Sequence, residues 1–135
     1  MTPAALKAAA ALADPIGSAA GDAVAGDVTP AMVLEILRDN KVPLLDLDGA
    51  RQFGPGLRPI VESALWREAV DSERRERDAL AAELLEVAQR FSESGITAVL
   101  FKSTGGVPYR SSNVDLLVRP ARMGDAERVL TDLGH

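Results

Sequence analysis

GITAVLFKSTGGVPYRSSNVDLLVR, residues 95–119, decides how this chain is read. Gly95 is a stop for whatever precedes it, and residues 96–101 form a short apolar run bounded by that glycine and by Lys102 and Ser103. Such a run predicts a buried strand. Small and turn-forming residues follow, and then residues 114–118, Val-Asp-Leu-Leu-Val, make a second apolar run that carries one acid. Successive side chains of a strand point to opposite faces. Asn113, Asp115 and Leu117 therefore share one face, and Val114, Leu116 and Val118 share the other.

The chemistry of this stretch is that of phosphate and a hard cation. Two oxygen ligands at positions i and i+2 of a strand point the same way and can hold one divalent ion together. Asp115 supplies a carboxylate, while Asn113 supplies only a neutral carbonyl oxygen, the poorer ligand for Mg²⁺. Upstream, Ser103 offers a hydroxyl, and Gly105 and Gly106 let backbone N–H groups approach a phosphate closely. Lys102 and Arg110 can neutralise phosphate charge. Taken singly, these features are commonplace: an acid after an apolar run is usually a strand-end residue, and Gly-Gly is usually a turn.

Outward from this stretch the chain is helical. Thr2 and Pro3 form a cap-plus-proline start for an Ala-rich helix to about Ala13, with Asp14 and Pro15 as its stop. Residues 16–28, with Gly17, Gly21 and Gly26, read as a linking arm. Thr29 and Pro30 repeat the start signal for a second helix that ends near Asn40. Residues 42–45 read as a short extended or turn segment, and Gly49, Gly54 and Gly56 mark a surface loop. From about Pro59 to Ser94 the periodicity is helical, with Ile60, Val61, Ala64 and Leu65 on one face and Leu80, Leu84, Val87, Ala88 and Phe91 on another. Residues 71–78, DSERRERD, carry seven charges in eight positions and are expected to be a solvated helix face. Whether one helix or two cover this region is open. After Pro120, residues 123–133 predict a last helix with Ala126, Val129, Leu130 and Leu133 inward, leaving Asp125, Glu127 and Asp132 facing solvent.

Composition narrows the function classes. The chain has 135 residues, no cysteine and a single histidine, His135. Thiolate chemistry, disulfides, Ser–His catalysis and multi-histidine metal sites within the chain are thereby excluded. A net charge of −5 with no long basic run argues against broad attraction to a nucleic acid backbone. The sequence contains neither a signal-peptide pattern nor an apolar run of about 18 residues, so no membrane span is expected and the cytoplasm is the default location.

The residues from Phe101 to Asp115 resemble a known family. Lys102 and Ser103, nine intervening residues and then Asn113-Val114-Asp115 look like the nucleotidyltransferase signature of the polymerase-β-like superfamily. More closely, the passage resembles an uncharacterised bacterial nucleotidyltransferase-like family. Its Leu-Lys-Gly reads Phe101-Lys102-Ser103 here. Its Arg-x-x-Asp-hydrophobic-Asp-Leu-Leu-Val reads Arg110 through Val118, and its Leu-Gly-aromatic ending reads Leu133-Gly134-His135. The resemblance covers about two thirds of the chain, from about Val42 onward. It implies a mixed sheet of at least three strands flanked by helices, and two carboxylates on the second strand that bind Mg²⁺ with the phosphates of an NTP, ATP being the expected one. It also implies a third carboxylate on a later strand that assists the attacking hydroxyl of an acceptor.

Carried onto this chain, the resemblance implies Asp115 as catalytic residue and metal ligand, with Asn113 beside it as the second ligand. Lys102, Ser103, Gly105, Gly106 and Arg110 are implied at the nucleotide. This sequence departs from the pattern at three places: Asn113 replaces the first carboxylate, Ser103 follows Lys102 where glycine is usual, and no strand with a third carboxylate follows Gly134. The fold expectation is α+β, a helical N-terminal portion followed by the first β-loop-β-α part of a nucleotidyltransferase-like mixed sheet. Its parts are an Ala/Gly-rich arm with a short helix (1–28), a helical region (29–95) and a partial nucleotidyltransferase-like core (96–135). The functional expectation is a family protein that ancestrally transferred a nucleotide from Mg–NTP to a hydroxyl acceptor. The rival is an inactive remnant that binds nucleotide or another protein, and enzymatic activity itself is left open. Two short strands with an exposed edge also predict self-association.

Overall fold

A computed structural model describes residues 2–13, 27–47, 53–101 and 114–135. Among the described residues five α-helices and two strands follow one another: α1 (Pro3–Ala13), α2 (Pro30–Asp39), α3 (Arg58–Val61), α4 (Ala64–Glu93), β1 (Ala98–Phe101), β2 (Asp115–Val118) and α5 (Met123–Asp132). A single 3-10 turn, Pro120–Arg122, leads into α5. The class is α+β, helices with a small antiparallel sheet. The described residues divide into two compact units, one through Arg75 and one from Glu76 onward. Of the arm expected over 16–28, residues 16–26 lie outside the described residues.

In the first unit the helix starts are those expected from local chemistry. The Thr2 hydroxyl accepts from the Ala5 N–H at 3.3 Å, and the Thr29 hydroxyl accepts from the Met32 N–H at 3.3 Å. Each cap satisfies a donor that a helix start leaves unpaired, and the following proline has no N–H to satisfy. Ala5, Ala8, Ala9 and Leu12 are buried at helical spacing, and their small side chains let α1 pack on α2. Val33, Leu34, Ile36 and Leu37 form the buried stripe of α2. Residues 44–47 bend and turn, placing Leu44 and Leu47 in the same core. Trp66 and Val70 of α4 complete it, Trp66 being only 1% exposed.

α4 is one unbroken helix of 30 residues, which settles the question left open near Asp71. Its inward positions match those expected at Val87 and Phe91 and differ elsewhere. Ala64, Leu65 and Ala88 are exposed, while Trp66, Val70 and Glu73 are buried. The spacing 66, 70, 73 is itself a helical stripe; the neighbouring core, not hydropathy alone, selects which of two adjacent stripes is covered. The charged run 71–78 is therefore solvated except at Glu73.

Helix ends follow one device three times. Gly95 has φ 65°, its N–H donates to the Ser92 carbonyl at 3.0 Å, and the Ile96 N–H donates to the Phe91 carbonyl at 2.8 Å. Gly134 has φ 90°, with bonds from Gly134 to Thr131 and from His135 to Leu130, both 3.0 Å. Lys41, at φ 54°, ends α2 in the same way, with 2.9 Å bonds from Lys41 to Arg38 and from Val42 to Leu37. In each case a left-handed residue lets two orphan carbonyls be satisfied.

The second unit has its own core of Val87, Phe91, Ile96 and Ala126, against which Leu116, Val118, Val129, Leu130 and Leu133 pack. β1 and β2 are antiparallel in the register Ala98↔Val118, Val99↔Leu117, Leu100↔Leu116 and Phe101↔Asp115. Contrary to the buried strand expected over 96–101, β1 begins at Ala98, and Val99 is 60% exposed. Leu116 and Val118 pack against the core, while Leu117, on the opposite face, is 56% exposed. The inward side of α5 is the one expected, with Ala126 buried and His135 exposed.

Candidate functional site

Of the predicted site residues, Asp115 alone falls within the described part of the chain. Lys102, Ser103, Gly105, Gly106, Arg110 and Asn113 lie outside the described residues. Asp115 is the first residue of β2 and pairs with Phe101, the last residue of β1. Phe101 and Asp115, which flank residues 102–114 in the sequence, thus lie at the same end of the sheet. Asp115 is half-buried and belongs to the face that also carries Leu117 and Val99, opposite the face formed by Leu116 and Val118. Among the described residues no three His, Cys, Asp or Glu side chains gather where they could hold a metal ion. Asp115 is the single carboxylate within the two described strands. One carboxylate with water and phosphate oxygens is enough for Mg²⁺, which keeps much of its hydration and seldom uses an all-protein cage.

Two further charged groups have roles that the sequence reading missed. Glu73, 4% exposed, accepts from the Leu44 N–H at 3.0 Å through Oε2 and from the Leu45 N–H at 3.3 Å through Oε1. A buried carboxylate is tolerated when such donors replace its water, and here it clamps the turn after α2 onto α4. The signal was present, since Glu73 continues the stripe of Trp66 and Val70, but it was hidden inside a run of charges. Asp125, expected to face solvent, is instead a half-buried hub in the first turn of α5. It pairs with Arg128, and its Oδ2 lies 3.3 Å from Arg122 Nε. Arg122 also donates through Nη2 to the Ser94 carbonyl at 2.7 Å, tying the end of α4 to the start of α5. An acid in the first helical turn also suits the positive end of the helix dipole.

A separate cleft of about 310 Å³ lies in the first unit, lined by Ala5 of α1 and by Met32, Glu35, Ile36 and Asp39 of α2. Its two carboxylates are exposed neighbours one helical turn apart. Asp115 is not among the described residues that line it. Among the described residues no helix is long and apolar enough to cross a membrane. Comparison with known proteins gives no match to any family model, curated protein or solved structure.

Proposed function

We propose that this chain is a nucleotidyltransferase-like protein that binds a Mg²⁺–nucleotide, ATP first among them, at the end of its β-hairpin where Asp115 stands. The observation that carries this reading is the Phe101↔Asp115 pairing. It sets Phe101 and Asp115, which flank Lys102, Ser103, Gly105, Gly106, Arg110 and Asn113 in the sequence, at the same end of the sheet. In this reading a carboxylate oxygen of Asp115 and the amide oxygen of Asn113 hold the metal. Lys102 and Arg110 neutralise phosphate charge, and the Ser103 hydroxyl and the N–H groups of Gly105 and Gly106 cradle the phosphates. When bound, Mg²⁺ supplies charge neutralisation on the triphosphate, the larger part of catalysis in phosphoryl chemistry. Transfer would then join a hydroxyl oxygen of the acceptor to the α-phosphorus, with pyrophosphate leaving.

The rival reading, nucleotide binding without transfer, is favoured by one feature: Asn113 is neutral where two carboxylates would share the ion. Calorimetric titration of Mg–ATP into the wild type and the Asp115→Ala variant tests the shared part of both readings. Loss of a charge-assisted ligand, about 1.5–3 kcal/mol, predicts binding weaker by about tenfold or more. Identical isotherms would contradict the site. Asn113→Asp is predicted to tighten Mg²⁺ binding and, under the transfer reading alone, to raise pyrophosphate release.

A further inference from the structure

We propose that β2 pairs antiparallel with β2 of a second copy of this chain, about a two-fold axis through Leu117, to make a four-stranded sheet. Among the described residues the sheet has two strands, so each keeps an edge whose N–H and C=O groups are unpaired. The choice between the two edges is made by charge. Residues 115–119 read Asp-Leu-Leu-Val-Arg, and this order is complementary to itself when reversed. Antiparallel pairing centred on Leu117 sets Asp115 opposite Arg119 of the other copy and Arg119 opposite its Asp115. Leu117 then meets its own counterpart, and Leu116 meets Val118. β1, Ala98-Val99-Leu100-Phe101, carries no charge that could fix such a register.

Three structural facts support the pairing. Arg119 lies beyond β2, yet its backbone is extended, at φ −60° and ψ 138°, so the strand can lengthen by the one residue that the charge pair requires. Pro120 lacks an N–H and closes the ladder immediately after it. Asp115 and Arg119 have no side-chain hydrogen bond or ion pair among the described residues, whereas Arg122 and Arg128 nearby are engaged by Asp125. The apolar consequence follows from the register within one copy. Val99 faces Leu117 across the hairpin, and both are more than half exposed. Pairing through β2 joins them to the same two residues of the other copy in one row, Val99-Leu117-Leu117-Val99. That row covers Leu117 on both flanks. The partner is thus a second copy of this chain, matched by charge at two symmetric points and by leucine on the axis.

The test is sedimentation equilibrium of the full chain, without nucleotide or divalent cation, so its outcome is independent of the site proposed above. A single dimer is expected for the wild type. Leu117→Lys places two ammonium groups face to face on the axis and is expected to give a monomer with an unchanged helical circular dichroism signal. Arg119→Asp converts two attractive cross-strand pairs into repulsive ones and is expected to weaken the dimer about tenfold or more. The charge exchange Asp115→Arg with Arg119→Asp rebuilds both pairs in the opposite sense and is expected to restore dimerisation to within about threefold. A monomeric wild type, a dimer untouched by Leu117→Lys, or a charge exchange no stronger than Arg119→Asp alone would each overturn the proposal.

Discussion

In the first unit Leu12, Val33, Leu37 and Trp66 are fully buried, whereas in the second unit Val99 and Leu117 keep more than half of their surface in solvent. The two regions use apolar residues differently. Helices α1 and α2 and the first part of α4 cover one another's stripes, and buried alanines let them approach closely. The hairpin is covered on one face, where Leu116 and Val118 pack against the cluster of Val87, Phe91, Ile96 and Ala126, and presents the other. A sheet with one packed face needs only alternate residues for its core. The remaining alternate positions are available for something other than stability, and both Asp115 and Leu117 occupy them.

Substitutions can break or sharpen this contrast. The largest effect is expected in the first unit: Trp66→Ala removes its largest fully buried side chain and should lower stability by about 3–5 kcal/mol in urea denaturation. Glu73→Ala leaves the Leu44 and Leu45 N–H groups without their acceptor inside that core, and a loss of about 1.5–3 kcal/mol is expected. In the second unit, Gly95→Ala meets nothing within 4 Å of the added methyl group, so the left-handed backbone alone is penalised, by about 1–2 kcal/mol. Leu117→Thr should change the stability of the monomer by about 0.5 kcal/mol or less. A Leu117→Thr loss as large as that of Trp66→Ala would erase the distinction between the two regions.

What was legible in the sequence was mostly local. The starts at Thr2-Pro3 and Thr29-Pro30, the stop at Gly95 and the inward face of α5 each depend on a few neighbouring residues, and the structure repeats them. The covered side of α4 was legible near its end, at Val87 and Phe91, but not near its start. Leu65 and Trp66 are adjacent and both apolar, and long-range packing buries Trp66 while leaving Leu65 44% exposed. Glu73 was missed for the same reason, because its partners lie 28 and 29 residues away in sequence. The left-handed stop at Lys41 carried no glycine to announce it. At the candidate site the strand position of Asp115 was foreseen from the period-two pattern. The residues expected to surround it lie outside the described part of the chain.

The central claim concerns where a nucleotide sits, and amide chemical shifts during an ATP titration, with and without Mg²⁺, test it residue by residue. Mg²⁺-dependent changes confined to Leu100, Phe101 and residues 114–117 are predicted for the wild type, and their loss is predicted for Asp115→Ala. Changes centred on Met32, Glu35 and Asp39 of the α1–α2 cleft, or no changes at all, would contradict it.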